Sequence, residues 1–345
     1  MNESMTIGVD LGDKKHQLCV LDAQGHIVEE REIVNTRAAV TQCFAQYRGA
    51  VVAMETGTHS PWVSDVVAAA GCTARVGNTR KLRAIWLSRQ KCDVRDAQML
   101  ARIARFDPQL LYPIVHRREA TRVDLVLIKA RDQLVRTRAT LINSLRGLVK
   151  SHGERLRGCS SDAFARKVQL PEALKAALEP MRAIIEALTR QIRGYDRQIE
   201  AAAAQRYPHT ARLTQVRGVG TLTALAYLLI LEEPQRFEQS RAVGAFVGLT
   251  PRRDQSGDTD KQLRITKEGS GLLRRLLVGC AHYILGPFGQ ECDLRRYGQK
   301  LMARGGKNAK RRAVVAVARK LAVLLHALWT SGATYQADRP LAVAG

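Results

Sequence analysis

Four carboxylates, Asp10, Glu55, Asp93 and Asp96, have the spacing from which acid chemistry on a phosphate could be built. Asp10 closes the apolar run of GVDLG and Glu55 that of AVVAMET, so each is expected at the C-terminal end of a strand, beside a glycine-containing loop. Asp93 and Asp96 lie three residues apart in DVRDAQMLARIAR, which places both on one face of a helix. Carboxylates gathered together repel one another unless cations neutralise them. An all-oxygen set suits Mg²⁺ or Mn²⁺, and a pair of such ions can clamp a phosphate during displacement. Taken singly, each residue has a plainer explanation: Asp93 could cap its helix and Asp10 could be a solvated strand end. Capping alone does not explain all four in this order. Asp13, close behind Asp10, reads as a solvated neighbour.

A second constellation lies in TPRRDQSGDTDK, where Ser256 follows Arg253 by three residues and precedes Gly257. A serine hydroxyl is a poor nucleophile until a base, a metal or a positive environment activates it. Arg252 and Arg253 could hold a scissile phosphate and stabilise charge on its oxygens. On local chemistry alone, a Ser-Gly turn with nonspecifically binding arginines explains the segment better. Ser240, expected as a helix cap, and Ser270, in the EGSG turn, are the competing serines.

The elements that must position these groups are legible in outline. MTIGVDL, HQLCVLD and HIVEEREIV read as three short strands in a meander. Asn35 or Thr36 can cap a helix running to about Tyr47. AVVAMET is a buried-type strand, Ser60-Pro61 opens a helix that Gly71 stops, and TARVGN is another strand. A basic segment then leads to the helix of DVRDAQMLARIAR. The order β-β-β-α-β-α-β-α is the pattern of a ribonuclease-H-like fold.

The middle of the chain reads as helical. Leu127, Leu134, Leu141 and Leu148 recur every seven residues. Leu174, Leu178, Met181, Ile185, Leu188, Ile192, Tyr195 and Ile199 alternate spacings of four and three, a coiled-coil seam. An intramolecular hairpin and a dimer seam explain it equally well. Pro180 is expected to kink the second helix or delay its start. Toward the C-terminus, Gly218-Val219-Gly220 resembles the turn of a helix-hairpin-helix, whose N–H groups approach a phosphate, although an ordinary glycine turn is the favoured reading. A loop-rich segment follows, then the basic helix of RGGKNAKRRAVVAVARKLAVLLHALWTSG.

Charge separates these regions. Residues 1–100 hold 12 Lys+Arg and 11 Asp+Glu, a net of +1, whereas 101–345 hold 43 and 21, a net of +22. Basic residues recurring along so long a stretch point to a polyanion partner, nucleic acid before a membrane surface. Aromatic residues make up 5% of the chain, which leaves little stacking surface for bases. Seven scattered cysteines without a CxxC pair argue against a disulfide framework or a zinc site and fit a reducing cytoplasm. No uninterrupted apolar run approaches the ~18 residues of a membrane span, and the N-terminus shows no secretory signal.

GVDLGDKKHQ, AMETGTHS and KCDVRDAQMLA resemble the DEDD motifs of the RuvC-like transposases of one group of bacterial insertion sequences, a family that includes Piv-type DNA invertases. GLTPRRDQSG, TKEGSGLLRRLL and ARKLAVLLHAL extend the resemblance over essentially the whole chain. It implies three regions: a RuvC-like catalytic domain over 1–112, a helical coiled-coil segment over 113–207 and a mostly helical transposase domain over 208–345. Asp10, Glu55, Asp93 and Asp96 would be the DEDD set that binds Mg²⁺ or Mn²⁺. The resemblance also reverses the reading of Ser256, making it the nucleophile that joins covalently to DNA. Arg80, Lys81, Arg83, Arg252, Arg253, Lys267, Arg274 and Arg275 would contact nucleic acid. The partners implied are donor and target DNA, a noncoding bridge RNA that specifies both, and a homo-oligomer, dimer or tetramer, whose subunits share the active site. An invertase without a guide, a junction-resolving nuclease without a serine nucleophile, and a non-enzymatic nucleic-acid scaffold are the alternatives. The complete carboxylate set speaks against the last.

Overall fold

The computed structural model describes residues 5–82, 92–256 and 259–338, with the backbone alone for 256 and 259–262. Two compact units divide the chain, residues 1–117 and 118–345.

In unit 1 the expected meander forms as β1 (Thr6–Leu11), β2 (Lys15–Leu21) and β3 (Ile27–Val34). It is followed by α1 (Arg37–Ala45), β4 (Val51–Glu55), α2 (Ser60–Ala69), β5 (Thr73–Gly77), α3 (Thr79–Leu82) and α4 (Asp93–Phe106). The sheet order is β3-β2-β1-β4-β5. The meander pairs are antiparallel, and β4 and β5 add in parallel through helical crossovers. Thr36 caps α1 by accepting the Ala39 N–H at 3.3 Å. At the start of α2 the Ser60 hydroxyl accepts the Gly57 N–H and donates to the Gly57 carbonyl, tying down the loop after β4.

The two faces of this sheet are packed differently. Ile7, Val9, Leu18, Val20, Val52 and Met54 point toward α1 and α2 and bury against Val40, Phe44, Val63 and Val67. The alternate residues face α4, where the contact is much tighter: a Cβ on Gly8 would lie 1.9 Å from the Ala97 carbonyl oxygen. Ala97 and Ala101 pack with Cys19 and Leu21, and Leu100 and Ala104 with Ala53. Small residues on both partners let this helix lie directly on the strands, and they explain why GVDLG carries a glycine inside a buried strand.

Unit 2 opens with α5 (Glu119–Ser151), α6 (Phe164–Lys167) and α7 (Glu172–Arg206). α5 and α7 pair as an antiparallel hairpin. Arg206 meets Asp124, Arg131 meets Asp196, and Arg138 meets Thr189, so residue numbers rise on one helix as they fall on the other. Of the two readings of the seam, the intramolecular hairpin is the one present. Its α7 column is Leu178, Ile185, Ile192 and Ile199, as the spacing indicates. On α5 the buried stripe is Leu125, Ile128, Arg138, Ile142, Leu145 and Val149. Leu127, Leu134 and Leu141 flank that stripe, and Leu148 is exposed. The seven-residue leucine column therefore marks the edge of the contact. α7 starts eight residues before Pro180 and runs through it, so the proline neither delays nor ends the helix.

The remainder comprises α8 (His209–Leu213), α9 (Thr221–Leu231), α10 (Ala242–Phe246), the hairpin of β6 (Pro251–Ser256) and β7 (Thr259–Ile265), α11 (Gly271–Leu285), α12 (Asp293–Ala303) and α13 (Ala309–Ser331). The segment expected to be loop-rich thus folds largely as a hairpin. α9 is buried from Thr223 to Leu231, and one core joins it to α11, α13 and the ends of α5 and α7. That shared core unites the helical hairpin with the C-terminal region. By length and composition α13 could cross a membrane, and half of its most apolar window is buried. Arg319 and Lys320 interrupt it, which is why no unbroken apolar run stands out in the sequence. Within unit 2 it serves as a core helix, and the buried Tyr227 hydroxyl donates to its Ala322 carbonyl at 2.7 Å.

Candidate catalytic site

Val9 pairs with Met54 in the parallel β1–β4 ladder, and Asp10 and Glu55 each come one residue later. They are therefore side by side on adjacent strands, about 4.8 Å apart in the pairing direction. By strand alternation Asp10 shares the face of Gly8, and Glu55 that of Ala53, which is the α4 face. The Arg105 end of α4 lies against Gly25, in the β2–β3 turn at the starting edge of β1. The opposite end of α4, with Asp93 and Asp96, is consequently at the edge where Asp10 and Glu55 finish their strands. Topology brings all four carboxylates to one edge and one face of the sheet.

Their surroundings differ. Asp10, Glu55 and Asp96 are half-buried, whereas Asp93 is exposed. The helix begins differently from the expectation: Cys92 is the N-cap, without a side-chain cap bond, and Asp93 is the first helical residue. Asp93 and Asp96 both sit in the first turn, where the positive end of the helix dipole favours negative charge. Asp93 is not used as a cap. No three His, Cys, Asp or Glu side chains among the described residues are close enough to hold one ion. The donor set is nevertheless all oxygen, as a hard divalent cation requires.

Asp13 is almost fully exposed, 3.6 Å from His59 Nε2, in keeping with a solvated neighbour. Sequence reasoning passed over the aromatic cluster beside it. His16 is fully buried and neither ring nitrogen has a hydrogen-bond partner. It faces His59 and Trp62, at ring separations of 6.1 and 6.2 Å. Burial, then the neighbouring His59, holds its imidazole below the ordinary value of 6.5. Three aromatic rings at the ends of β2 and α2 were the available signal.

In unit 2, Ser256 ends β6 and pairs with Thr259, so it stands at the tip of the β6–β7 hairpin. Arg252 and Arg253 lie on the same strand, both exposed. Neither competing serine is free for chemistry. Ser270 caps α11, accepting the Leu273 N–H at 3.3 Å. Ser240 is not the expected cap: Arg241 is the N-cap of α10, and the Ser240 hydroxyl bonds to His326 Nδ1 at 2.9 Å.

The basic candidates divide by use. Arg80 and Lys81 are exposed on α3, with Lys81 Nζ 4.5 Å from the centre of the Tyr112 ring. Arg83 lies outside the described residues. Lys267 is exposed with a positive φ of 58°, its N–H bonded to the Gly248 carbonyl. Arg274 donates to the Val247 and Glu268 carbonyls at 3.0 and 2.8 Å, which pins the loop after β7. Arg275 is ion-paired with Asp132 at 2.6 Å. Gly218, with φ of 90°, turns the chain between α8 and α9, and Gly220 is the N-cap of α9. A hollow of about 520 Å³ opens at that turn.

A family model described as Transposase, of the DEDD type of IS110 elements, matches residues 7–153, and one described as Transposase IS116/IS110/IS902 family matches 210–291. The transposase for insertion sequence element IS1111A of Coxiella burnetii is 30% identical over 97% of this chain and 92% of its own. A probable family 20 transposase of Pseudomonas aeruginosa is 28% identical over 96% of this chain and 98% of its own. The transposase for insertion sequence element IS1328 of Yersinia enterocolitica is 27% identical over 80% and 82%.

Proposed function

The chain belongs to the IS116/IS110/IS902 family of insertion-sequence transposases, DNA-cleaving and strand-transferring enzymes, and on that premise we propose a serine-using, metal-dependent recombinase directed by RNA. The observation that carries the reading is the placement of Asp10 and Glu55 as ladder neighbours with the first turn of α4 at the same edge. The strand order and the position of α4 favour a ribonuclease-H-like, RuvC-like catalytic unit.

Asp10, Glu55, Asp93 and Asp96 would hold the ion. Mg²⁺ bound there, or Mn²⁺, would neutralise the carboxylates and polarise a phosphodiester. The sheet fixes Asp10 and Glu55, and the dipole of α4 favours charged Asp93 and Asp96. Ser256 would supply the nucleophile. Its hydroxyl loses a proton as the new P–O bond forms, and the departing DNA oxygen gains one as the old bond breaks. The phosphoserine ester keeps the bond energy until a hydroxyl of a second strand displaces the serine. Arg252 and Arg253, on the strand leading to Ser256, would pair with phosphate oxygens.

The other partners belong to the same reading: a bridge RNA contacted through backbone and shape, a homo-oligomer of two or four subunits, and a cytoplasmic setting. The exposed Arg80 and Lys81 support an RNA contact. RNA that survives a salt wash of the purified protein should be one dominant species with defined ends; heterogeneous fragments would contradict guidance. The chemical claim is tested on strand-labelled DNA with Mg²⁺. Wild type should leave a protein-linked strand, and Ser256→Ala should bind DNA but form no adduct. An adduct trapped in that variant would overturn the assignment.

A further inference from the structure

The tract Arg304–Arg312, RGGKNAKRR, holds five cations and no carboxylate, and the chemistry assigned above does not use it. Arg304, Lys307, Lys310, Arg311 and Arg312 are all exposed, and none forms an ion pair with a described residue. Arg312 instead donates to the Gly305 carbonyl at 3.3 Å. Lys310, Arg311 and Arg312 fall in the first turn of α13, at the positive end of its dipole, and the Asn308 side chain makes no capping bond. Positive charge at that end opposes folding by about 0.3–1 kcal/mol per residue unless an anion compensates. Three of the five cations, Lys307, Lys310 and Arg311, line a hollow of about 320 Å³ with Asn308 and His282 of α11. Cations without ion-pair partners among the described residues, around a hollow, at the end of a helix that repels them, make an anion-receptive surface.

Its neighbour on α11 indicates which anion. The exposed residues of α11 include Arg275, Gly279, His282 and Tyr283, spaced i, i+4, i+7 and i+8, a single helical stripe. His282 borders the cationic hollow, whereas Tyr283 and Gly279 border the second hollow at Gly218–Gly220. The two hollows therefore flank the stripe on either side of one helix, a body about 10–12 Å across. A Cβ on Gly279 or Gly220 would meet nothing within 4 Å, so no described residue covers the stripe or the second hollow at these points. Arg275, at the start of the stripe, is held by its ion pair with Asp132, which leaves Gly279, His282 and Tyr283 as the face itself.

We propose that this stripe of α11 seats in the major groove of duplex DNA, with the Lys307–Arg311 hollow receiving one backbone and the Gly218–Gly220 hollow the other. The B-form major groove is about 12 Å wide and admits a helix, whereas the A-form RNA major groove is too deep and narrow. The face is distinct from Arg252, Arg253 and Ser256. It rests on the reading of the chain as a recombinase of DNA and adds the surface by which unit 2 holds the duplex.

The test is equilibrium binding of the full chain to a 20-base-pair DNA duplex and to an RNA duplex of the same sequence, across a salt series. Replacing Lys307, Lys310 and Arg311 with Gln should reduce the slope of log K against log salt by about 2–3 and weaken DNA binding about 10–100-fold at moderate salt. Gly279→Glu, a substitution into open space within a helix, should weaken DNA binding comparably without lowering the melting temperature. Both variants should bind RNA duplex nearly as wild type does. An unchanged DNA slope, an unaffected Gly279→Glu, or an equal loss on RNA would each overturn the proposal. The Ser256 adduct is read separately: a shifted slope without any adduct would sink the recombinase chemistry and leave the docking face standing.

Discussion

Asp10 and Glu55 stand on two inner strands of a five-stranded sheet, one residue beyond a buried ladder pair and under a helix that rests on Gly8. Ser256 ends a two-stranded hairpin whose first strand is exposed from Pro251 to Gln255 and carries two arginines and an aspartate. A core holds the carboxylates. No described residue of the serine strand joins a core; its partner β7 reaches the unit 2 core only at its end, through Ile265, and a two-stranded ribbon contributes little stability of its own in water. The difference suits the work proposed for each. A metal-binding set must be held in advance, because its members repel one another. A nucleophile that becomes covalently joined to DNA must reach a phosphate and later be released from it.

The comparison is broken most severely by substitution at the chemistry itself. Asp10→Asn and Ser256→Ala should each lower strand cleavage by about 10³-fold or more, measured on labelled duplex with Mg²⁺. Their stability effects should be small, within about 0.5 kcal/mol for Ser256→Ala. Retained cleavage in Asp10→Asn would remove the carboxylate edge from the mechanism. Next in size is Gly8→Ala, which sets a methyl group against the Ala97 carbonyl oxygen. It should cost about 3 kcal/mol in urea unfolding, whereas Arg252→Ala in the hairpin should cost less than about 0.5 kcal/mol. Equal costs would mean that the two regions are held in the same way.

Asp93→Asn sharpens the distinction between folding and chemistry. Loss of a first-turn carboxylate should lower stability by only about 0.5 kcal/mol, yet it should abolish cleavage. The smallest effect is one of pH. The His16 imidazole titrates below its ordinary 6.5 when folded, so the unfolded chain takes up the proton first. Its contribution is fully present above pH 6.5, is lost as pH falls through the folded value, and changes no further below that. The unfolding midpoint should therefore drop between pH 7.5 and 5.5, and less so in His16→Asn. An identical pH dependence in that variant would show that other groups carry it.

What the sequence revealed tracks how much apolar burial each element carries. β1, β2, β4 and β5 bury residues, and their patterns were legible, as was the edge where Asp10 and Glu55 end. The β6–β7 hairpin was hidden because PRRDQS and TDKQLRI show almost no apolar alternation; only the Ser-Gly pair, which the sequence suggests as a turn, marked the place. On α5 the leucine repeat misses the seam by one residue at Leu127, Leu141 and Leu148 and by four at Leu134, where the buried residue is Arg138, which no hydrophobic pattern selects. Arg138 is 6% exposed and bonds Asp162 and Thr189, so its charge is met by partners distant in sequence. Asp93 as first helical residue, with Cys92 before it, turned on a boundary that pattern alone places only within a few residues.

The most direct test of the proposed chemistry is to map the covalent product. Wild-type protein would react with strand-labelled DNA in Mg²⁺, and the adduct would be denatured, digested and sequenced by mass spectrometry. A serine-using, metal-dependent recombinase should leave a nucleotide phosphate on the peptide bearing Ser256, and none when Mg²⁺ is withheld or Asp10 is changed to Asn. Cleaved DNA with no protein-linked strand, or an adduct on any other residue, would contradict it.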